Sequence, residues 1–279
     1  MIKHHISPII NVTELVELHK VNNPILIDAS NGINAKKNYE AKHLDGALFV
    51  DLNSQLAAIK ENLADGGRHP LPTLEQFSNT LTTLGISPES HVIIYDDKNG
   101  ANAAARFWWM LKAIDHKKVQ VLNGGIQEAE KLNFPINSKK VTAKKNTPYI
   151  IDNWKLPTIN LNDIEKVVKL KSATIIDVRE TTRYNGEHEP IDLVAGHIPT
   201  ALNIPFSENL NKNGLFLSPS ELKDKYSKFK NNHIIVHCGS GVTACHSLLA
   251  FDYAGLKIPI LYVGSWSEWS RNNKPIKTN

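Results

Sequence analysis

The chain has 279 residues, of which 41% are hydrophobic and 22% charged, and its formal net charge is +4. This length allows two domains with separate cores, and the composition is that of an ordinary globular protein. No apolar run approaches about 20 residues, so we expect no membrane span. The lysines are not interleaved with aromatic residues, which argues against a nucleic-acid partner. The first residues lack a signal-peptide pattern and the chain has only two cysteines, so we expect a cytoplasmic protein.

The predicted elements occur twice along the chain. The strand-like run 25–28 (ILID) returns 149 residues later at 174–177 (TIID). Other matches follow in the same order: 42–48 with 196–202, 71–75 with 217–221, 91–95 with 233–237, and 121–125 with 261–265. Matches that keep their order indicate a duplicated domain.

Each half alternates short β-branched runs with longer helical patterns, which predicts an α/β fold with a mostly parallel sheet flanked by helices. We expect an N-terminal domain at 1–140, a linker at 141–156 and a C-terminal domain at 157–279, because prolines and lysines interrupt the pattern between the halves. The halves are expected in tandem rather than interleaved. Functional loops are then expected at the carboxyl ends of the strands.

The second half contains a cysteine at a position suited to catalysis. The apolar run 234–236 ends at His237-Cys238, and the loop 239–243 (GSGVT) then leads into a predicted helix. Unpaired amides at a helix start favour a thiolate and lower the pKa of such a cysteine, which makes it a nucleophile. Glycines at 239 and 241 let the backbone curl around the sulfur. Cys238 is therefore the candidate catalytic residue.

The corresponding positions of the first half read Tyr95-Asp96-Asp97. The nucleophile has no counterpart there, so we expect the N-terminal domain to be catalytically silent. The second cysteine, Cys245, lies seven positions after Cys238 inside the predicted helix. It is either a packing residue or a redox partner of Cys238. The histidines, including His4 and His5, show no metal-ligand spacing, so no metal is expected.

These features resemble the two-domain rhodanese family of sulfurtransferases along essentially the whole chain. The resemblance is carried by the loop 238–243, His197-Ile198-Pro199, Asp177-x-Arg179, Arg183 and the tail 264–269 (GSWSEW). It implies a tandem of rhodanese-like domains. The loop is similar to that of 3-mercaptopyruvate sulfurtransferases, whereas thiosulfate-preferring relatives usually carry Arg-Lys in place of Gly239-Ser240.

The resemblance also implies a mechanism. The Cys238 thiolate takes the transferable sulfur of a small anionic donor, and the persulfide is held by the loop amides of Gly239, Ser240, Gly241, Val242 and Thr243. Cyanide, a small thiol or a thioredoxin-like protein then removes the sulfur. This is covalent catalysis in two half-reactions. No organic cofactor or metal is needed.

A donor anion requires a cation, and the resemblance places a substrate-binding arginine at Arg183. A guanidinium can hold a carboxylate with two parallel hydrogen bonds. Arg179 is expected either to contact the donor or to bind loop carbonyls and carboxylates. Arg68, in the turn-rich segment 66–70 (GGRHP), is a further candidate anion contact.

Two departures from the mercaptopyruvate pattern keep thiosulfate open as the donor. Ile191 follows Glu189-Pro190 where that pattern has a second substrate arginine. The Ser-His-Asp relay of that pattern would use Ser240 and His43, but Asn34 stands nine positions before His43 where an aspartate is needed. A structural role for His43 is therefore the alternative.

Two functions of other classes fit the loop less well. A phosphatase of the same domain fold needs a Cys-x5-Arg loop, but residues 239–250 contain no arginine, so the charge of a phosphoryl group would not be stabilised. A non-catalytic rhodanese-like binding module usually lacks the cysteine, which this chain retains.

Overall fold

The computed structural model describes residues 6–229 and 233–279. These residues form two compact units, of which unit 1 contains the chain up to Leu56 and Pro72–Lys155, and unit 2 contains Ala57–Leu71 and Leu156–Asn279. The expected division into 1–140 and 157–279 therefore differs from the structure in two segments. The segment 57–71 groups with the second unit, and 141–155 groups with the first rather than standing apart as a linker.

Specific contacts account for both differences. The backbone N–H of Gly66 donates to Glu268 Oε1 at 2.9 Å, and that of Arg68 donates to Ser267 Oγ at 3.0 Å, so this segment is fastened within unit 2. In unit 1, the Trp154 ring packs against Phe77 with 5.3 Å between centroids. Composition marks a proline- and lysine-rich stretch, but it does not reveal such contacts.

Unit 1 is built on a five-stranded sheet with the order β1-β6-β5-β2-β4, in which every pair is parallel. A separate antiparallel pair joins β3 and β7. Its strands are β1 (Ile9–Ile10), β2 (Ile25–Asp28), β3 (His43–Leu44), β4 (Leu48–Phe49), β5 (Val92–Tyr95), β6 (Val119–Leu122) and β7 (Ile136–Asn137). Its helices are α1 (Val12–Val21), α2 (Ala35–Ala41), α3 (Leu52–Gln55), α4 (Leu74–Thr83), α5 (Ala103–Ala113) and α6 (Gly125–Lys131).

Unit 2 repeats the plan with the strand order β10-β9-β11-β12-β8, again all parallel. Its strands are β8 (Thr158–Ile159), β9 (Thr174–Asp177), β10 (Leu202–Asn203), β11 (Ile234–His237) and β12 (Ile260–Tyr262). Its helices are α7 (Leu161–Leu170), α8 (Thr181–Asn185), α9 (Pro219–Ser227), α10 (Thr243–Tyr253) and α11 (Ser265–Trp269), with one 3₁₀ turn at Phe206–Asn209.

The repeated local signals of the sequence form equivalent structures in the two units. Helix α4 starts with a capping box between Thr73 and Gln76, and α9 starts with one between Ser218 and Glu221. Each box satisfies backbone donors at the helix start, which fixes where the helix begins. The duplicated α/β fold with parallel sheets, predicted from the repeats, is confirmed.

Each unit has a largely buried helix after its central strand. Helix α5 in unit 1 and helix α10 in unit 2 are buried along nearly their whole length. A buried helix fixes its own first turn, and therefore fixes the loop that connects it to the strand. None of the helices in the described residues is long and apolar enough to cross a membrane.

Candidate active site

Cys238 follows the central strand β11 of unit 2 and is only 1% exposed. Its backbone N–H donates to Ser265 Oγ at 3.2 Å, and its carbonyl accepts the N–H of Trp266 at 3.0 Å. Ser265 itself has a left-handed backbone, with φ of 54°, and donates its hydroxyl to the Tyr262 carbonyl. The backbone of Cys238 is therefore held on both sides by the loop that follows β12.

The loop after Cys238 presents free backbone donors. Among the described residues, the structure records no hydrogen-bond partner for the N–H groups of Gly239, Ser240, Val242 and Thr243. These groups precede and begin helix α10, where the helix dipole adds positive potential. A curved run of free N–H groups at a helix start is suited to hold an anionic sulfur.

Unit 1 has the same loop with a different occupant. Asp96 follows strand β5, as Cys238 follows β11, and its side chain is fully buried. Its carboxylate accepts backbone N–H groups of Lys98, Gly100, Asn102 and Ala104 at 2.8 to 3.1 Å. Four N–H groups of the unit 1 loop thus bind a side chain of the protein itself.

Two glycines of the catalytic loop are required for different reasons. Gly241 has φ of +73°, and a Cβ there would lie 2.5 Å from the Val263 carbonyl oxygen. At Gly239 a Cβ would lie 2.8 Å from Arg68 Nη2 and 3.4 Å from Arg183 Nη2. Gly241 is therefore needed for the backbone path, whereas Gly239 leaves room for two arginine side chains.

Arg179 is a structural residue in this arrangement. Its guanidinium binds the Asp177 carboxylate through Nε and Nη2 at 3.0 and 2.6 Å, and Nη2 also donates to the Gly196 carbonyl. It stacks on the Trp266 ring with 4.6 Å between the guanidinium carbon and the centroid. With its side chain 1% exposed, the structure supports the interpretation of Arg179 as a loop-binding arginine.

Arg183, on helix α8, lies beside the catalytic loop. It binds Glu189 through Nη2 at 2.7 Å, and the same nitrogen is 3.5 Å from Asp192. Burial raises the pKa of Glu189, but hydrogen bonds from Arg183 and from the Asp192 backbone outweigh it and hold the pKa below its usual range. Arg183 is therefore a positive group whose position is fixed by a carboxylate that stays ionised.

Arg68 is brought to the same place by the segment 57–71. Its Nε and Nη2 donate to the Asp192 carboxylate at 3.1 and 3.2 Å. Gly67, with φ of +78°, lets the segment pack against the Gly264 backbone. A Cβ on Gly67 would lie 2.4 Å from the Gly264 carbonyl oxygen. Asp192 and this close packing were not found from the sequence, although the turn-rich segment itself was noted.

The hydroxyl of the loop serine pairs with a histidine that the sequence analysis did not select. Ser240 Oγ lies 2.8 Å from His69 Nδ1. His43, expected as its partner, instead lies in unit 1 with Nδ1 2.7 Å from the Tyr39 carbonyl and its ring stacked on Tyr39. His197 stacks on Tyr184 in the same way in unit 2. The repeat itself therefore indicated a structural role for His43.

A buried histidine and an ion pair lie behind Cys238. Burial lowers the pKa of His237, whose Nδ1 is 3.1 Å from the Cys238 carbonyl oxygen. Burial raises the pKa of Asp177, but neighbouring His237 and Arg179 outweigh it and hold the pKa below its usual range. The second cysteine, Cys245, is buried in α10 with its thiol donating to the Gly241 carbonyl at 3.3 Å.

Within residues 6–229 and 233–279, no group of three or more potential metal ligands occurs. His4 and His5 lie outside these residues. The site thus consists of a recessed cysteine, a loop of free N–H groups and two arginines beside the loop. This arrangement suits covalent chemistry on an anionic substrate.

Two stretches of the chain, residues 11–132 and 161–272, match the family model of the Rhodanese-like domain. The chain therefore belongs to the rhodanese family and contains two Rhodanese-like domains. It is 34% identical over 247 residues to a probable 3-mercaptopyruvate sulfurtransferase of Pseudomonas aeruginosa, covering 86% of both chains. With the 3-mercaptopyruvate sulfurtransferase of Homo sapiens the identity is 33% over 277 residues, covering 95% of this chain and 91% of the relative.

The chain is also similar to enzymes named for thiosulfate. The thiosulfate sulfurtransferase of Mus musculus is 32% identical over 254 residues, covering 86% of this chain and 82% of the relative. The crystal structure of SseA from Escherichia coli has a TM-score of 0.80 at 29% identity, covering 94% of this chain and all of that one. The chain is thus a sulfurtransferase, and its substrates are a sulfur donor and a sulfur acceptor.

Proposed function

We propose that this enzyme moves sulfur from 3-mercaptopyruvate to a thiophilic acceptor through a persulfide on Cys238. The thiolate attacks the donor sulfur and forms an S–S bond. The carbon–sulfur bond breaks, and its electron pair leaves with the pyruvate enolate, which takes a proton to become pyruvate. An acceptor such as cyanide, a small thiol or a thioredoxin-like protein then takes the outer sulfur and regenerates the thiolate.

The contrast between the two loops is the observation that carries this proposal. In unit 1 the N–H groups of Lys98, Gly100, Asn102 and Ala104 bind the Asp96 carboxyl group, so that loop is already occupied by a side chain of the protein. In unit 2 the residue at that position is Cys238, and four N–H groups of the following loop have no recorded partner among the described residues. A persulfide on Cys238 supplies the missing negative charge. Unit 1 has no cysteine, so it takes no covalent part.

The space at residue 239 favours mercaptopyruvate over thiosulfate. Thiosulfate-preferring relatives usually carry an arginine there, but a Cβ at Gly239 would already lie 2.8 Å from Arg68 Nη2. The cations of this site therefore come from Arg183 and its neighbours rather than from the loop. A carboxylate bound by Arg183 leaves the donor sulfur free to approach Cys238. Thiosulfate, which would release sulfite, is the alternative donor.

The Ser240–His69 pair is placed to handle the proton of this reaction. With His69 Nδ1–H donating to Ser240 Oγ across this 2.8 Å contact, the Ser240 hydroxyl hydrogen can turn toward the bound donor. A hydroxyl backed by an imidazole can deliver a proton to the enolate carbon as the carbon–sulfur bond breaks. Thiosulfate cleavage needs no such proton, because sulfite leaves as an anion.

The test compares kcat/KM for 3-mercaptopyruvate and thiosulfate with cyanide as the common acceptor. We expect the higher value for mercaptopyruvate, and a mass increase of one sulfur atom on Cys238 when the acceptor is withheld. Cys238→Ser should abolish both turnover and the mass increase, while Cys245→Ser should keep them. Sulfur transfer by Cys238→Ser at the wild-type rate would disprove the persulfide route. A higher kcat/KM for thiosulfate would disprove the donor assignment.

A further inference from the structure

The position that carries a second substrate arginine in the mercaptopyruvate pattern is occupied here by Ile191. Its side chain is 53% exposed, and the residue contributes only a backbone N–H, donated to Glu189 Oε1. The site would therefore hold its donor with Arg183 alone if no other cation were present. The structure places another arginine at the same loop.

Arg68 has one edge of its guanidinium bound and the other edge available. The Nε–Nη2 edge binds Asp192 with two hydrogen bonds. No partner of Nη1 is recorded among the residues that the structure describes. The side chain is 20% exposed, and Nη2 lies 2.8 Å from a Cβ built on Gly239. The Nη1–Nη2 edge can therefore accept a carboxylate in the two-pronged manner next to the catalytic loop.

Asp192 fixes this geometry. Its carboxylate is completely buried and binds Arg68, Arg271 at 2.8 Å and, more loosely, Arg183 at 3.5 Å. The buried Asp192 carboxylate therefore holds the Arg68 guanidinium in one orientation beside the loop.

We propose that Arg68 is the second donor-binding arginine of this enzyme, taking the place left by Ile191, and that Asp192 is the positioning residue that presents it. The donor's carboxylate then lies between Arg68 and Arg183, with its sulfur directed at Cys238. The inference rests on the proposed function, and it assigns donor selectivity to a segment far from the catalytic loop in sequence. The matching donor class is a short thiol acid whose carboxylate and sulfur can reach both ends of the site.

The test compares Arg68→Ala with Arg271→Ala. Both variants remove an arginine from Asp192, but only Arg68 lies against Gly239. We expect Arg68→Ala to raise KM for 3-mercaptopyruvate by about tenfold or more with kcat changed far less, since a charge-assisted pair is lost on binding. Arg271→Ala should leave KM within about twofold. Arg68→Lys, which keeps the charge and loses the fork, should give an intermediate KM.

A second experiment restores an arginine at position 191 and tests whether it can replace Arg68. In the Arg68→Ala background, Ile191→Arg returns an arginine to the place of the mercaptopyruvate pattern, and we expect most of the KM increase to be reversed. Asp192→Asn alone should also raise KM, and adding it to Arg68→Ala should raise KM by less than the product of the two single effects.

The outcomes separate this inference from the proposed function. A wild-type KM in Arg68→Ala, or an equal increase in Arg271→Ala, overturns the role of Arg68 while the persulfide on Cys238 still forms. Absence of that persulfide in the wild-type enzyme overturns the proposed function instead. Melting temperatures of all variants show whether a fall in the apparent kcat reflects loss of folded protein.

Discussion

Gly241→Ala is the substitution for which the structure gives the clearest magnitude. Gly241 has φ of +73°, and an alanine Cβ would lie 2.5 Å from the Val263 carbonyl oxygen. The left-handed backbone costs an alanine roughly 1–2 kcal/mol, and forcing an atom against fixed backbone adds roughly 1–3 kcal/mol. The two contributions add to about 2–5 kcal/mol. For a unit of this size, that corresponds to a melting temperature lower by roughly 6–15 °C.

Gly239→Ala is the matched control two residues away. Its Cβ would meet Arg68 Nη2, the far end of a flexible side chain, at 2.8 Å. We expect Arg68 to move, the melting temperature to stay within about 2 °C, and KM for mercaptopyruvate to rise instead. Differential scanning calorimetry and steady-state kinetics measure the two effects. Equal destabilisation by both substitutions would refute the reasoning, because it would mean that backbone path and side-chain space are not separable in this loop.

Two further predictions concern stability. Asp96→Asn places an amide NH₂ where backbone N–H groups now donate to a carboxylate, and we expect a loss of about 1–3 kcal/mol in denaturant unfolding, with a much smaller loss for Asp97→Asn. Burial lowers the pKa of His116 and His237 below 6.5. Just below pH 6.5 the unfolded chain therefore binds more protons than the folded chain. Stability should therefore fall as the pH drops below about 6.5 and be fully recovered above it; a melting temperature constant between pH 5 and 7 would contradict this.

The proposed donor selectivity depends on groups whose charges compensate one another. Arg183 is held by Glu189, and Arg68 by Asp192, each through paired hydrogen bonds. Such pairs keep the guanidinium groups in place before the donor arrives, so less conformational freedom is lost on binding.

The repeats and the residues after the strands were enough to predict the duplicated α/β fold and the position of Cys238. This succeeded because hydrophobic periodicity, capping residues and glycines act locally, over a few residues of chain. The strand that ends at His237 and the helix that starts at Thr243 leave only one place for the loop. The fold followed from this local information, whereas the family and the sulfurtransferase class came from the resemblance carried by the loop 238–243, Arg183 and the tail 264–269.

The surroundings of Cys238 were decided by tertiary structure. The partner of Ser240 is His69 rather than His43, and Arg68 reaches Gly239 from a segment more than a hundred residues away in sequence. No local sequence pattern predicts these contacts, because they depend on the packing of Gly67 against Gly264 and on the buried Asp192. The sequence alone determined which cysteine is proposed to carry the sulfur. Only long-range packing determined which charges lie around it, since electrostatic interactions depend on distance in space rather than along the chain.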